Sequence, residues 1–147
     1  MTHPKTKVMF LSTRNAARSQ MAEAYLRHFA GDTYEVHSAG LDPSGIHPFA
    51  VQVMKEAGLS LDGQSSKHVS EYLGRVHFGW LVTVCSDAEK NCPRAFLGIS
   101  HRLYWGDLES PTAFAGDDKE TIQKFRQARD EIDQRIKDWL AAQEKAI

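Results

Sequence analysis

The chain has 147 residues, 41% hydrophobic and 25% charged, values of an ordinary soluble domain. Its 18 Lys and Arg stand against 19 Asp and Glu, a formal net charge of -1, which argues against a general nucleic-acid or membrane-surface binder. No apolar run approaches the ~20 residues of a spanning helix, and no signal-peptide core follows Met1 to Lys7, so the expected location is cytoplasmic.

Val8-Met9-Phe10-Leu11 is apolar on both faces and reads as a central parallel strand. A polar loop follows, and then a helix over Gln20–Phe29 with Met21, Ala22, Tyr25, Leu26 and Phe29 on one face. Gly31-Asp32 stops it. Tyr34 to Ser38 alternates as a second strand ending at Ala39-Gly40. Pro48 suits the first turn of a second helix, whose inward face is expected to be Ala50, Val51, Met54 and Ala57. A short helix is expected near Val69 to Leu73, a third strand over Phe78 to Val84 and a fourth over His101 to Trp105. Ser86 to Pro93 is polar, of helical or loop character. A long loop, Gly106 to Asp118, leads to a last helix over Lys119 to Gln143. Its stripe is Ile122, Phe125, Ile132, Ile136, Trp139 and Leu140. Strands alternating with helices predict one α/β domain spanning residues 1–147, a parallel sheet with helices on both faces. Ligands of such sheets bind beyond the carboxyl ends of the strands. Ser12 and Cys85 both fall there.

The loop Ser12-Thr13-Arg14-Asn15-Ala16-Ala17-Arg18-Ser19 joins a strand to a helix N-terminus. Backbone N–H groups converge at such a place and the helix dipole adds partial positive charge. Arg18, at the helix start, presents a planar fork that suits two oxygens of a tetrahedral oxyanion. Ser12, six residues earlier, points into the same cup. An ordinary polar βα turn accounts for these residues equally well. Cys85 and Cys92 are seven residues apart, about 10.5 Å of rise on an intact helix. A disulfide needs Cα atoms within roughly 7 Å, so the pair bridges only if the segment between them loops out. Two unrelated free thiols are the other reading. Cys85, Cys92 and His101 have a poor zinc spacing, and no metal is expected.

The stretch Ser12 to Ser19 resembles the phosphate loop of the low-molecular-weight protein tyrosine phosphatases and the arsenate reductases of the same fold, Cys-x5-Arg-Ser, with Ser12 at the cysteine position. Val84-Cys85-Ser86-Asp87-Ala88 with Asn91-Cys92-Pro93 resembles the redox segment of the thioredoxin-coupled arsenate reductases. His37-Ser38-Ala39-Gly40-Leu41, His47-Pro48, Leu103-Tyr104-Trp105-Gly106 and Phe125 to Ile132 extend the likeness over nearly the whole chain. The resemblance implies the strand order 2-1-3-4. It implies an oxyanion cup from residues 13–18, clamped by Arg18, with Ser19 hydrogen-bonded to Ser12. It implies that Asn15, Ser19 and Ser38 brace the loop. Some of these reductases hold a potassium ion at positions that match Asn15, Glu23 and Ser38. Lys67 matches the fourth, so its ammonium is expected in place of the ion.

In these reductases a phosphate-loop thiolate attacks arsenate. The thiol matching Cys85 attacks the adduct and arsenite leaves. The thiol matching Cys92 resolves the disulfide, and thioredoxin reduces the last one. The resemblance therefore implies arsenate, phosphate or sulfate as ligand, thioredoxin as partner, a monomer and no cofactor. Two departures stand out. A serine hydroxyl is a far weaker acid than a thiol and forms no sulfur–sulfur bond, so the chain as written is expected to bind oxyanions with little or no turnover. The family's general acid, an Asp before Pro, aligns with Ser110, with Glu109 or Asp107 as substitutes. Arg14, where glycine is common, adds positive charge at the rim. A tyrosine phosphatase is the alternative enzyme. A non-catalytic oxyanion-binding homologue, or an engineered Cys-to-Ser trap, is the alternative to an enzyme.

Overall fold

A computed structural model describes residues 5–72, 76–84, 99–108, 110–111 and 116–145. Cys85, Cys92, Glu109 and Leu73 lie outside them. The elements are β1 (Thr6–Ser12), α1 (Arg18–Ala30), β2 (Tyr34–Gly40), α2 (Pro48–Glu56), a 3-10 turn (Val69–Glu71), β3 (Trp80–Thr83), β4 (His101–Tyr104) and α3 (Asp118–Lys145). The four strands form one sheet in the order β2-β1-β3-β4, every pair parallel. β1 and β2 run in register from Thr6↔Tyr34 to Ser12↔Gly40, so both strands deliver their last residues to the same, carboxyl end of the sheet.

The period-2 alternation of β1 sorts the core into two faces. Val8 and Phe10 pack with Met21, Leu26, Met54, Phe125, Ile132 and Ile136, the inward stripes of α1, α2 and α3. Met9 and Leu11 pack with Ala39, Val69, Phe78 and Leu81 on the other face. Asp117 caps α3, its carboxylate accepting from the Glu120 N–H at 2.8 Å. The expected stripe of α3 is present. Phe125, Ile132 and Ile136 are buried, and Ile122, Trp139 and Leu140 pack at its margins.

Two expectations for core residues are corrected. On α2 the buried residues are Ala50, Val53 and Met54, while Val51 is 41% exposed. Residue 51 lies about 100° round the helix from residue 50, whereas 53 and 54 fall on the same side as it. Ala57 is exposed because the helix ends at Glu56. Phe29, at the end of α1, is 38% exposed. It stacks on Tyr25 with ring centroids 5.8 Å apart and lies 5.5 Å from the Lys137 ammonium, outside the sheet's core. The expected helix at Val69 is a single 3-10 turn.

Candidate functional site

The site is the turn between β1 and α1, and its shape follows from where the backbone carbonyls go. Ser12 O accepts from Leu41 N (3.3 Å), Thr13 O from Asp42 N (2.7 Å), Arg14 O from Ser44 N (3.2 Å), Ala16 O from His47 N (2.9 Å) and Ala17 O from Met21 N (2.9 Å). Asn15 O accepts from Gln20 Nε2 at 3.0 Å. All these carbonyls are held from outside the loop. A trans peptide points its N–H opposite to its C=O, so the N–H groups of residues 13–18 turn inward. Apart from the Asn15 N–H, which donates to Ser12 Oγ at 3.0 Å, they face a cavity of about 160 Å³ lined by Ser12 to Arg18 with Ser44, His47, Ser110 and Pro111. The α1 N-terminus opens on the same cavity, and its dipole favours negative charge there.

Two local features let the loop close. Asn15 has φ 51°, left-handed backbone that asparagine tolerates better than most residues. Gly40 lets β2 approach the loop, because a Cβ there would stand 2.8 Å from Thr13 O and 3.0 Å from Asn15 N.

A buried polar network lies beneath. Ser12, Asn15, Ser19, Gln20, Glu23 and Ser38 are each at most 5% exposed. The Ser12 and Ser19 hydroxyls are 2.8 Å apart, and Ser12 Oγ also accepts the Asn15 N–H at 3.0 Å. Asn15 Nδ2 donates to Ser19 Oγ and Ser38 Oγ, each at 2.9 Å, and Asn15 Oδ1 accepts from Lys67 N at 2.9 Å. Ser38 Oγ donates to Glu23.

Lys67 is placed differently from the expectation. Its ammonium donates to Ser65 O at 2.7 Å, and only its backbone N–H reaches the network. The cation beside Glu23 is Arg27, which donates to Glu23 Oε2 and, at 2.8 Å, to Val36 O. Arg27 lies one turn beyond Glu23 on α1, so it reaches the carboxylate directly. Both Glu23 oxygens are engaged by donors, an arrangement that does not suit a potassium ion. Among the described residues no three His, Cys, Asp or Glu side chains are grouped to hold a metal.

Arg18 Nη1 donates to Val84 O at 3.1 Å and to Leu108 O at 2.8 Å. This braces the guanidinium at the cavity wall and ties the β3 end and the β4–α3 loop to it. The Arg14 charge at the rim is balanced by Asp42 at 2.9 Å, both side chains being largely exposed. Ser110 lines the cavity, and Asp107 does not. Arg135 holds Asp107 through bonds of 2.7 and 3.0 Å and keeps its carboxyl below the usual range. Asp107 is thus turned to α3 and is corrected as a candidate acid.

The structure adds two lining residues. Ser44 and His47 reach the cavity from the β2–α2 loop. His47 Nδ1 accepts the Phe49 N–H at 3.0 Å, capping α2, and burial lowers its pKa. A wider cavity, about 570 Å³, lies at the amino-terminal end of the strands, beside Lys5, Lys7, His77, Trp80 and His101. There the Gly79, Ser100 and His101 N–H groups are engaged by carbonyls of Lys7, Phe78 and Gly79, so no inward nest forms.

A 2-1-3-4 parallel sheet with a donor-lined loop between β1 and α1 places the chain among the low-molecular-weight phosphatase-like α/β proteins. The sequence profile described as "Low molecular weight phosphotyrosine protein phosphatase" matches residues 7–146, and the chain belongs to that family. An arsenate reductase of Halalkalibacterium halodurans is 38% identical over 133 residues, 90% of this chain and 94% of the relative. The solved structure of an arsenate reductase in the phosphate binding state superposes with a TM-score of 0.78 at 28% identity, covering 93% of this chain and 98% of that one. A thioredoxin-dependent arsenate reductase of Corynebacterium glutamicum superposes at 0.74 and 31% identity, covering 100% of this chain and 66% of that one. Among the described residues no helix is long and apolar enough to cross a membrane.

Proposed function

We propose that the chain binds a tetrahedral oxyanion, arsenate, phosphate or sulfate, in the loop from Ser12 to Ser19, on the scaffold of an arsenate reductase. The observation that carries this reading is the set of carbonyls from Ser12 to Ala17, each held by a donor outside the loop. Peptide N–H groups and Arg18 then surround one anion with donors, an arrangement matched to charge spread over several oxygens. One relative is described in a phosphate binding state and another as thioredoxin-dependent. Both descriptions fit the ligand and reductant proposed here.

In this reading Ser12 occupies the position of the nucleophilic thiol, and Cys85 and Cys92 are the two later thiols of the relay. A thiolate at 12 would bond to arsenic and release water. Attack of the Cys85 thiolate on that sulfur would reduce arsenic(V) to arsenic(III), release arsenite and leave a 12–85 disulfide. Cys92 would displace the thiol at 12, and the dithiol of thioredoxin would reduce the Cys85–Cys92 disulfide. A hydroxyl at 12 supports none of the first steps. The chain as given therefore binds without turning over. It acts as a monomer in the cytoplasm and draws on no cofactor.

A tyrosine phosphatase is the weaker reading. Ester cleavage needs a proton for the leaving oxygen. Ser110, a residue without a carboxyl, lines the cavity, and Asp107 is held by Arg135. Thioredoxin-coupled arsenate reduction by Ser12→Cys beside the chain as given tests the proposal. Turnover by Ser12→Cys alone is expected. Two inert, folded, anion-binding proteins would overturn the reductase part and leave a binding protein.

A further inference from the structure

The wider cavity at the amino-terminal end of the strands lies roughly 20 Å along β1 from Ser12, and the oxyanion reading makes no use of it. Its wall has two unlike parts, one cationic and one aromatic. We propose that this cavity binds a planar aromatic group that carries a phosphate, of which a nucleoside monophosphate is the class that answers to both parts. The inference is independent of the cup between β1 and α1.

The cationic part follows from chain order. Lys5 and Lys7 stand at the start of β1, and His77 stands three residues before β3. The first rung of these two parallel strands pairs Val8 with Trp80, so the residues that lead into them meet at one end of the sheet. The described residues that line the cavity include two Lys and two His and no Asp or Glu. In a chain of net charge -1 this is a local excess of positive charge. Lys5 Nζ gives one hydrogen to Gly31 O at 2.9 Å and keeps two. Glu35 attracts both lysines, but it lies outside the lining and is engaged by His37 at 2.7 Å.

The aromatic part follows from register. Trp80 and His101 are direct partners on β3 and β4, so their side chains fall on one face of the sheet. Their rings stack, with centroids 4.5 Å apart and planes 25° apart. Trp139 of α3 meets Trp80 edge-on at 5.2 Å and 87°, which fixes the indole. His101 covers that indole, is itself exposed and lines the cavity. Its imidazole is the surface on which a third ring stacks.

Size and donors narrow the ligand. A volume of about 570 Å³ falls in the ~300–1,000 Å³ range of small-molecule sites, against about 160 Å³ in the cup. The Gly79, Ser100 and His101 N–H groups are already engaged by backbone carbonyls. A free tetrahedral anion therefore meets side-chain charges near solvent, whose pairs are weak, and no converging backbone donors. Inorganic phosphate alone is held poorly here, and the ring supplies the rest of the affinity.

The test is titration of AMP into the isotopically labelled full chain carrying Arg18→Ala, which empties the cup, with amide resonances followed residue by residue. Saturating shifts are expected at Thr6, Lys7, Gly79, Trp80 and His101. Adenosine and ribose 5-phosphate, each lacking one half of the ligand, should bind at least about fivefold more weakly than AMP. Lys5→Met with Lys7→Met should weaken AMP about tenfold, two exposed charge pairs being lost. His101→Ala should weaken it at least about fivefold, and His101→Phe, which keeps a stacking ring, should stay within about twofold of His101. These four positions lie at the surface of the strand ends, and His101→Ala alone carries the test if the double lysine variant does not fold. Ribose 5-phosphate binding as tightly as AMP would reduce the cavity to a patch of charge and overturn the proposal. Adenosine matching AMP, or AMP affinity unmoved by the lysine or His101→Ala changes, would overturn it too. Shifts seen at residues 13–18 of the unaltered chain and lost with Arg18→Ala would overturn it while leaving the oxyanion reading intact.

Discussion

Asn15→Ala removes the residue on which the most hydrogen bonds of the loop converge. The side chain is fully buried and makes three of them, to Ser19, Ser38 and the Lys67 N–H, each at 2.9 Å. Each contributes about 1 kcal/mol net, and more where its partner is left unsatisfied in the interior. The φ of 51° adds a separate cost, since alanine in left-handed backbone is disfavoured by roughly 1–2 kcal/mol. The expected loss of unfolding free energy is about 3–5 kcal/mol, a large share of the ~5–15 kcal/mol that holds a domain of this size together. Asn15→Gly loses the same bonds without the backbone strain, so it should recover up to about 1 kcal/mol relative to Asn15→Ala. Urea unfolding followed by tryptophan fluorescence measures all three proteins. The reasoning is refuted if Asn15→Ala costs less than about 1 kcal/mol, or if Asn15→Gly is the less stable of the two variants.

Three further outcomes are expected. Asp107→Asn should leave sulfate affinity unchanged within about twofold by calorimetry, because its carboxylate is exposed and bound to Arg135, away from the cavity. Val53→Ala should destabilise the fold by about 2 kcal/mol and Val51→Ala by under about 0.5 kcal/mol in urea titrations, the reverse of what an inward Val51 requires. His47 has a pKa lowered by burial from 6.5, so the unfolded chain takes up its proton first as pH falls. Its contribution is full above pH 6.5 and is lost as pH drops through the folded value. His47→Asn, which keeps a capping acceptor, should flatten that part of the stability–pH curve measured between pH 7 and pH 5.

Much of the site is legible in the chain because it depends on local order. An apolar run, a loop of small and polar residues and an arginine at a helix start form one contiguous stretch, Val8 to Ser19. The alternation of β1 and the stripe of α3 carry the sheet and its covering layer. What escapes is what depends on three-dimensional neighbours. Arg135 reaches Asp107 across 28 residues, and no spacing rule links them. His47 is a capping residue outside the usual Ser, Thr, Asp and Asn set, so its place at the cavity has no plain signature. The Glu23–Arg27 pair does have one, the i,i+4 spacing of opposite charges on a helix. Matching Lys67 to a cation's place overlooks that nearer arginine. On α2 Val51 and Val53 lie two positions apart, about 200° round the helix, and a short apolar segment does not say which of them turns inward.

The most direct test of the central claim is a phosphate titration of the isotopically labelled full chain, with amide resonances followed residue by residue. Binding in the cup predicts saturating shifts confined chiefly to the amides of residues 13–18 and the Arg18 guanidinium, abolished by Arg18→Ala. Shifts centred on Lys5, Lys7 and His77 at the opposite cavity, or none at all, would contradict it.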